Sequence, residues 1–225
     1  MVTPIVKIRT NNAKRLIWLA PIWIALAISA MVALWVGWWS LAVLSALALF
    51  LCLAPIFLAS RYKIVLPLPF LISTTAFIIA SLILGELLDV YERLWWWDVA
   101  LHGLSAIALG LIGFLFVYML FNGDQFAAPP IAVAFVAYTF AVSIGVIWEI
   151  FEYTADHLMA TNMQKTGLND TMGDLIVDTI GAAIGAIVGY GYLKGQSAGL
   201  PGRLINDFVA LNQHLYSNAR KGRKK

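Results

Sequence analysis

Six apolar runs, each near twenty residues long, constrain this chain more than any other feature. They cover roughly residues 16–36, 41–59, 66–88, 99–121, 130–153 and 171–193. A helix of about 20 apolar residues spans the hydrocarbon core of a bilayer, where each segment must satisfy its own backbone hydrogen bonds. The expected fold class is therefore all-α: a polytopic transmembrane helix bundle of six spans. Composition agrees, with 61% hydrophobic and only 12% charged residues, where a soluble domain carries about 25% charged. Such a chain is not a disordered segment, a nucleic-acid-binding module or an ordinary soluble enzyme. The one cysteine, Cys52, lies inside an apolar run, which leaves no intrachain disulfide and no thiolate zinc site.

The first run follows Lys14 and Arg15 like the core of a signal peptide, but it is too long for one and reads as a retained span. About four residues separate it from the second run, which implies an antiparallel hairpin, and Pro55 is expected to kink that second helix. Lysine and arginine set the direction. With the N-terminus inside, Lys7, Arg9, Lys14, Arg15, Arg61, Lys63, Lys194, Arg203 and the five basic residues from Arg220 to Lys225 are all cytoplasmic, leaving only Arg93 and Lys165 outside. Both termini are then cytoplasmic. Trp38, Trp39, Trp95, Trp96, Trp97 and Trp148 fall near the outer interface, where indole rings settle. Three segments follow: a basic start and hairpin over 1–63, a four-helix core over 64–193 and a basic cytoplasmic tail over 194–225. In the tail, Leu204, Phe208, Leu211 and Leu215 recur at helical spacing. They suit an amphipathic helix on the inner leaflet, with a frayed basic tail as the alternative.

The acids are distributed unevenly. Asp124 and Asp207 are cytoplasmic on this topology; Glu86, Asp89, Glu92, Asp98, Glu149, Glu152, Asp156, Asp170, Asp174 and Asp178 all map to the outer ends of spans three to six. A charged residue at the centre of a membrane helix costs about 2.5–3.5 kcal/mol on insertion scales, so such a gathering needs protons, a metal or water. Spacing sharpens the pattern. At about 100° per residue, Asp170, Asp174 and Asp178 share one face, which Gly181, Gly185 and Gly189 continue. Small residues admit a neighbouring helix, so that face looks into the bundle. Asp98 and His102 stand one turn apart above Ala106, Gly110 and Gly113, and Glu149, Glu152 and Asp156 share a face of span five. Capping or dipole compensation also accounts for Asp98 and Asp170, at helix starts. It does not account for Asp178, two turns in, nor for Glu86, Asp89, Glu149 and Glu152, placed at the disfavoured C-terminal ends of their spans. His157 reads as an interfacial polar residue, Asp156 and the Glu92–Arg93 pair as loop residues, and Ser105 as a packing hydroxyl.

Arg61-Tyr62-Lys63 before an apolar span, Trp-Trp-Asp-x-x-Leu-His-Gly over 96–103, Trp-Glu-x-x-Glu over 148–152 and Asn-Asp-Thr-Met-Gly-Asp-Leu-x-x-Asp-Thr-x-Gly-Ala over 169–182 together resemble the YjdF-like family of bacterial inner-membrane proteins. The resemblance covers roughly residues 60–193. The last motif is also similar to the final span of VanZ-like membrane proteins. The resemblance implies a multi-pass inner-membrane protein of unassigned function and brings no mechanism. It matches the family's recurring polar residues to Asp98, His102, Glu149, Glu152, Asp170, Asp174 and Asp178.

Three functions remain open. The first is a divalent-metal site on Asp98, His102, Glu149, Glu152, Asp174 and Asp178, whose ligand types suit Zn, Mn, Fe, Mg or Ca alike. An open coordination position there would activate water against a lipid-linked substrate, making the protein a metal-dependent membrane hydrolase; no nucleophile motif accompanies it. The second is a scaffold or accessory protein docking a periplasmic partner through its acidic face. The third is a cation- or proton-coupled transporter. Against transport, only Ser105, Tyr118, Tyr138, Thr139, Ser143 and Thr179 interrupt the inner halves of the last three spans, and no inverted repeat is evident. Membrane lipids are expected partners and nucleic acid is not; oligomeric state is open.

Overall fold

A computed structural model describes residues 16–121, 124, 127–159, 161–196 and 199–216. The basic residues Lys7, Arg9, Lys14, Arg15 and those from Arg220 to Lys225 lie outside the described residues. Among the described residues every regular element is helical, and two compact units divide the chain, Met1–Leu94 and Trp95–Lys225.

The first unit holds α1 (Ala20–Val36), α2 (Trp39–Arg61), α3 (Leu68–Ile78), a π-helical continuation of α3 (Ile79–Leu87) and the short α4 (Val90–Arg93). The first apolar run becomes regular helix only at Ala20 because Pro21 has no N–H for the preceding turn and restricts the residue before it. Five helices are therefore long and apolar enough to cross a membrane, while α1 is a shorter apolar helix. Gly37 ends α1 at φ 78°, a left-handed conformation open to a residue without Cβ. The turn there is tight enough to fold α2 back along α1. Ser29 and Ser45 bridge the hairpin with their hydroxyls at 3.1 Å, and Leu26, Ala48, Cys52 and Ile78 tie α1, α2 and α3 together. Pro55 lies within α2, which remains helical through it to Arg61.

Nothing in the hydrophobic pattern signals the wide π turns of Ile79–Leu87. Their tertiary setting is specific: a Cβ on Gly85 would run into the Tyr91 ring, and the Tyr91 hydroxyl lies 3.0 Å from that of Ser81. Asp89 turns the chain between them at φ 54°.

The second unit contains α5 (Trp96–Leu120), α6 (Pro130–Met159), α7 (Leu168–Leu193) and α8 (Gly199–Leu211). Lipid gives apolar helices little hydrophobic reason to associate, so close approach of small residues decides their packing. A Cβ on Gly185 would come within 2.9 Å of the Gly110 Cα, and one on Gly181 within 2.8 Å of the Ala106 Cβ, so α5 and α7 meet backbone to backbone. Gly113 likewise faces the Ala137 carbonyl of α6. Large apolar side chains such as Leu104, Phe135, Ile147 and Ile187 stay exposed on this unit, as lipid-facing positions should.

The last stretch of chain packs on this bundle rather than lying apart from it. Ile205 and Tyr216 are buried with Phe114, Val117 and Tyr118 of α5 and Ala137 of α6. The phenol of Tyr216 donates to the Leu115 carbonyl at 3.0 Å, and its ring packs against those of Tyr118 and Phe208, with Tyr192 edge-on to Tyr118. Of the predicted stripe, Phe208 and Leu215 pack against this cluster, and Leu204 and Leu211 are half-buried.

Candidate functional site

The polar stripes of the second unit converge where α5 and α7 begin. His102 is the hub. Its Nδ1–H donates to Asp178 Oδ1 at 3.3 Å, and its Nε2 faces Asp98 Oδ1 at 3.8 Å. Asp98, His102 and Asp174 each offer a ligand atom, all within 4.8 Å of one another. His102 is 9% exposed, and Asp174 and Asp178 are 4% exposed each.

Local structure explains the convergence. Asp98 and His102 stand one turn apart on α5, and Asp174 and Asp178 one turn apart on α7; the glycine contacts below them press those two faces together. Gly145 on α6 supplies the remaining space, since a Cβ there would collide with Asp178 Oδ2. Glu149 follows Gly145 by one turn on the same buried stripe of α6. It is 4% exposed, and among the described residues neither carboxyl oxygen has a hydrogen-bond partner. His102, Asp178 and Asp170 lie within electrostatic reach of it; Thr171 is also close but falls outside hydrogen-bond geometry. Glu152, half-buried, adjoins Glu149, His102 and Asp98.

Two expectations change. Glu149 and Glu152 do not stand at a helix C-terminus, because α6 continues to Met159; the polar segment after the apolar span keeps its helical hydrogen bonds, so dipole repulsion is not what marks these residues. Asp98 and Asp170 lie in first turns, but the N-caps of α5 and α7 are Trp95 and Gly167, with no side-chain cap bond. Capping therefore does not account for Asp98, which faces His102 instead.

Asp156 has a role that spacing alone did not reveal. It accepts hydrogen bonds from the Thr161 hydroxyl at 2.6 Å and from the backbone N–H of Met163 and Gln164 at 2.8 and 2.9 Å. Those bonds fasten the α6–α7 connection, and Gln164 reaches on to the Thr171 hydroxyl at 2.5 Å. A carboxylate just before a Thr- and Asn-containing break is the signal that could have identified it. His157 is exposed and donates to the Tyr153 carbonyl of its own helix at 2.9 Å. Ser105 donates to the His102 carbonyl at 2.8 Å, as a packing hydroxyl does. Glu86, Asp89 and Glu92 belong to the first unit.

The class these features define is a helical membrane protein with buried ionisable groups gathered at one end of a three-helix contact. The model of the family described as Predicted membrane protein (DUF2238) matches residues 15–195, and the chain belongs to that family. A Thermotoga maritima protein described as an uncharacterized protein is 31% identical over 114 residues, which cover 51% of this chain and 58% of the Thermotoga protein. The match thus spans less than two thirds of that relative. No solved structure matches. The resemblance to a family of multi-pass membrane proteins holds, while the similarity of the last span to VanZ-like proteins finds no support.

Proposed function

We propose that the cluster is a divalent-metal centre, with Asp98, His102 Nε2 and Asp174 as ligands and Asp178 positioning the imidazole. The observation that carries this reading is the division of labour on His102. A carboxylate on one ring nitrogen fixes the tautomer and makes the other nitrogen a better donor to a metal. The 3.8 Å between Nε2 and Asp98 Oδ1 is too long for a hydrogen bond. It suits two ligands sharing one ion, whose separations run about 3.4–4.2 Å when each bond is about 2.1 Å.

Three protein ligands leave a coordination position open, and a metal there lowers the pKa of its bound water toward neutrality. The hydrolysis of a lipid-linked substrate is the reaction such a centre at membrane depth is suited to. Transport fits less well. Below Asp178 the α5–α7 contact closes backbone to backbone at Gly181 and Gly185, and Ser143 and Thr179 spend their hydroxyls on carbonyls of their own helices.

We place this centre on the outer side of a bacterial inner membrane, with six spans and both termini inside, on the strength of the basic residues. Alkaline phosphatase fused after Asn162 should then be active and fused after Asp124 inactive; the reverse would move the acids to the cytoplasm. Element analysis of detergent-purified protein should find a divalent metal that chelator removes, and His102→Ala should abolish its binding. Metal content that is unaffected by His102→Ala would overturn the assignment.

A further inference from the structure

We propose that Glu149 holds a second divalent cation beside the first, so that the cluster is a two-ion centre; this rests on the reading above. Glu149 is a buried carboxylate whose two oxygens meet no hydrogen-bond partner among the described residues, with Thr171 and His102 near but not bonded to it. Both of its oxygens are unpaired among the described residues, at 4% exposure. Leaving a buried polar group unsatisfied costs about 1–3 kcal/mol, and more for a charged one. Neutralising the carboxyl by a proton does not remove the difficulty, because a buried O–H still needs an acceptor. A divalent cation serves both oxygens at once.

The surroundings favour a cation. His102 turns one nitrogen to Asp178 and the other toward Asp98, and the Lys165 charge acts on Asp98. Glu149 also has His102 within electrostatic reach, but it shares that one cation with Glu152, Asp174, Asp178 and Asp170. One divalent ion on Asp98, His102 and Asp174 leaves the neighbouring Glu149 and Glu152 outside its ligand set. Paired ions in two-metal sites lie about 3.5–4 Å apart. Asp174 is the carboxylate suited to bridge them, since it belongs to the first ligand group and also lies in reach of Glu149. Glu152, next to Glu149 on α6, supplies a further oxygen.

The test uses full-length protein in detergent, stripped with chelator and titrated with manganese chloride. Wild-type protein should bind two manganese ions per chain and give the electron paramagnetic resonance signal of an exchange-coupled pair. Glu149→Gln, which preserves shape, should bind one ion with an uncoupled six-line signal, and Glu149→Asp should retain two with at least tenfold weaker binding of the second. One ion per wild-type chain would overturn the second site and leave the single-ion reading standing; no bound manganese would overturn both. The wild-type stoichiometry decides the matter even if a variant does not fold.

Discussion

The two ends of the Trp95–Lys225 unit use the same helix contact for opposite purposes. Between them runs the close approach of α5 and α7 at Gly110, Gly181 and Gly185. At the aromatic end, Phe114, Tyr118, Tyr192 and Tyr216 fill the space, and their polar atoms are matched within the chain: Tyr216 to the Leu115 carbonyl, Tyr192 to Asn206 at 3.3 Å, Asn212 to the Phe208 carbonyl at 2.8 Å. At the acidic end, among the described residues, His102 bonds Asp178 while both oxygens of the buried Glu149 have no hydrogen-bond partner. A buried end whose polar groups are answered internally is structural. One whose acceptors outnumber its donors is where an external cation gains most.

Gly185→Leu should break both ends together. The added side chain meets the Ile107 carbonyl and the Gly110 Cα, backbone atoms that cannot swing aside. The cost should exceed the ~1–3 kcal/mol of ordinary overpacking, so little monodisperse protein should survive size-exclusion chromatography in detergent. If the variant is stable, the helix contact is not the shared scaffold.

Tyr216→Ala should damage the aromatic end alone. Removing a fully buried ring costs about 3–5 kcal/mol, which a thermal melt will show. Manganese should still raise the melting temperature, because the ring lies at the other end of the bundle. Loss of both properties would mean that the ends are coupled.

His102→Ala should produce the complementary result. A ligand at a hundredfold excess over Kd stabilises a fold by about 2.7 kcal/mol, and that metal-dependent gain should vanish. Asp124→Asn, outside the cluster, should keep it. If His102→Ala and wild type respond alike to metal, the acidic end does not bind through its histidine.

The smallest effect concerns Tyr216→Phe, which removes one hydrogen bond worth about 1 kcal/mol. Burial, and then the neighbouring Tyr118 and Tyr192, push the Tyr216 phenol above its usual value of 10. A folded pKa raised above the unfolded one means full stability below pH 10 and progressive loss as pH rises beyond it. The phenylalanine variant should lose part of that alkaline sensitivity, measured by melting temperature between pH 9 and pH 11.

Much of the candidate site was legible because helical geometry fixes which residues share a face. Asp174 and Asp178 had to lie above Gly181 and Gly185, and Asp98 one turn from His102, wherever those helices went. The partners across helices were not legible. His102 bonds Asp178, 76 positions away, because α5 and α7 are rotated so that their small residues meet. Hydropathy also misjudged where α6 ends, since a helix does not stop where its apolar surface stops.

By itself the sequence determined the solvent, the class of fold and the face each polar residue occupies, because apolar length and a period of 3.6 residues are properties of single segments. Tertiary structure decided three things. It turned Ile79–Leu87 into a π-helix against Tyr91, and it laid α8 on the bundle instead of leaving a free tail. It also brought one histidine between two carboxylates while the Glu149 oxygens met no hydrogen-bond partner among the described residues. Each of these depends on how far apart and at what rotation two segments pack, and that is set by contacts between side chains distant in the chain, which no single segment encodes.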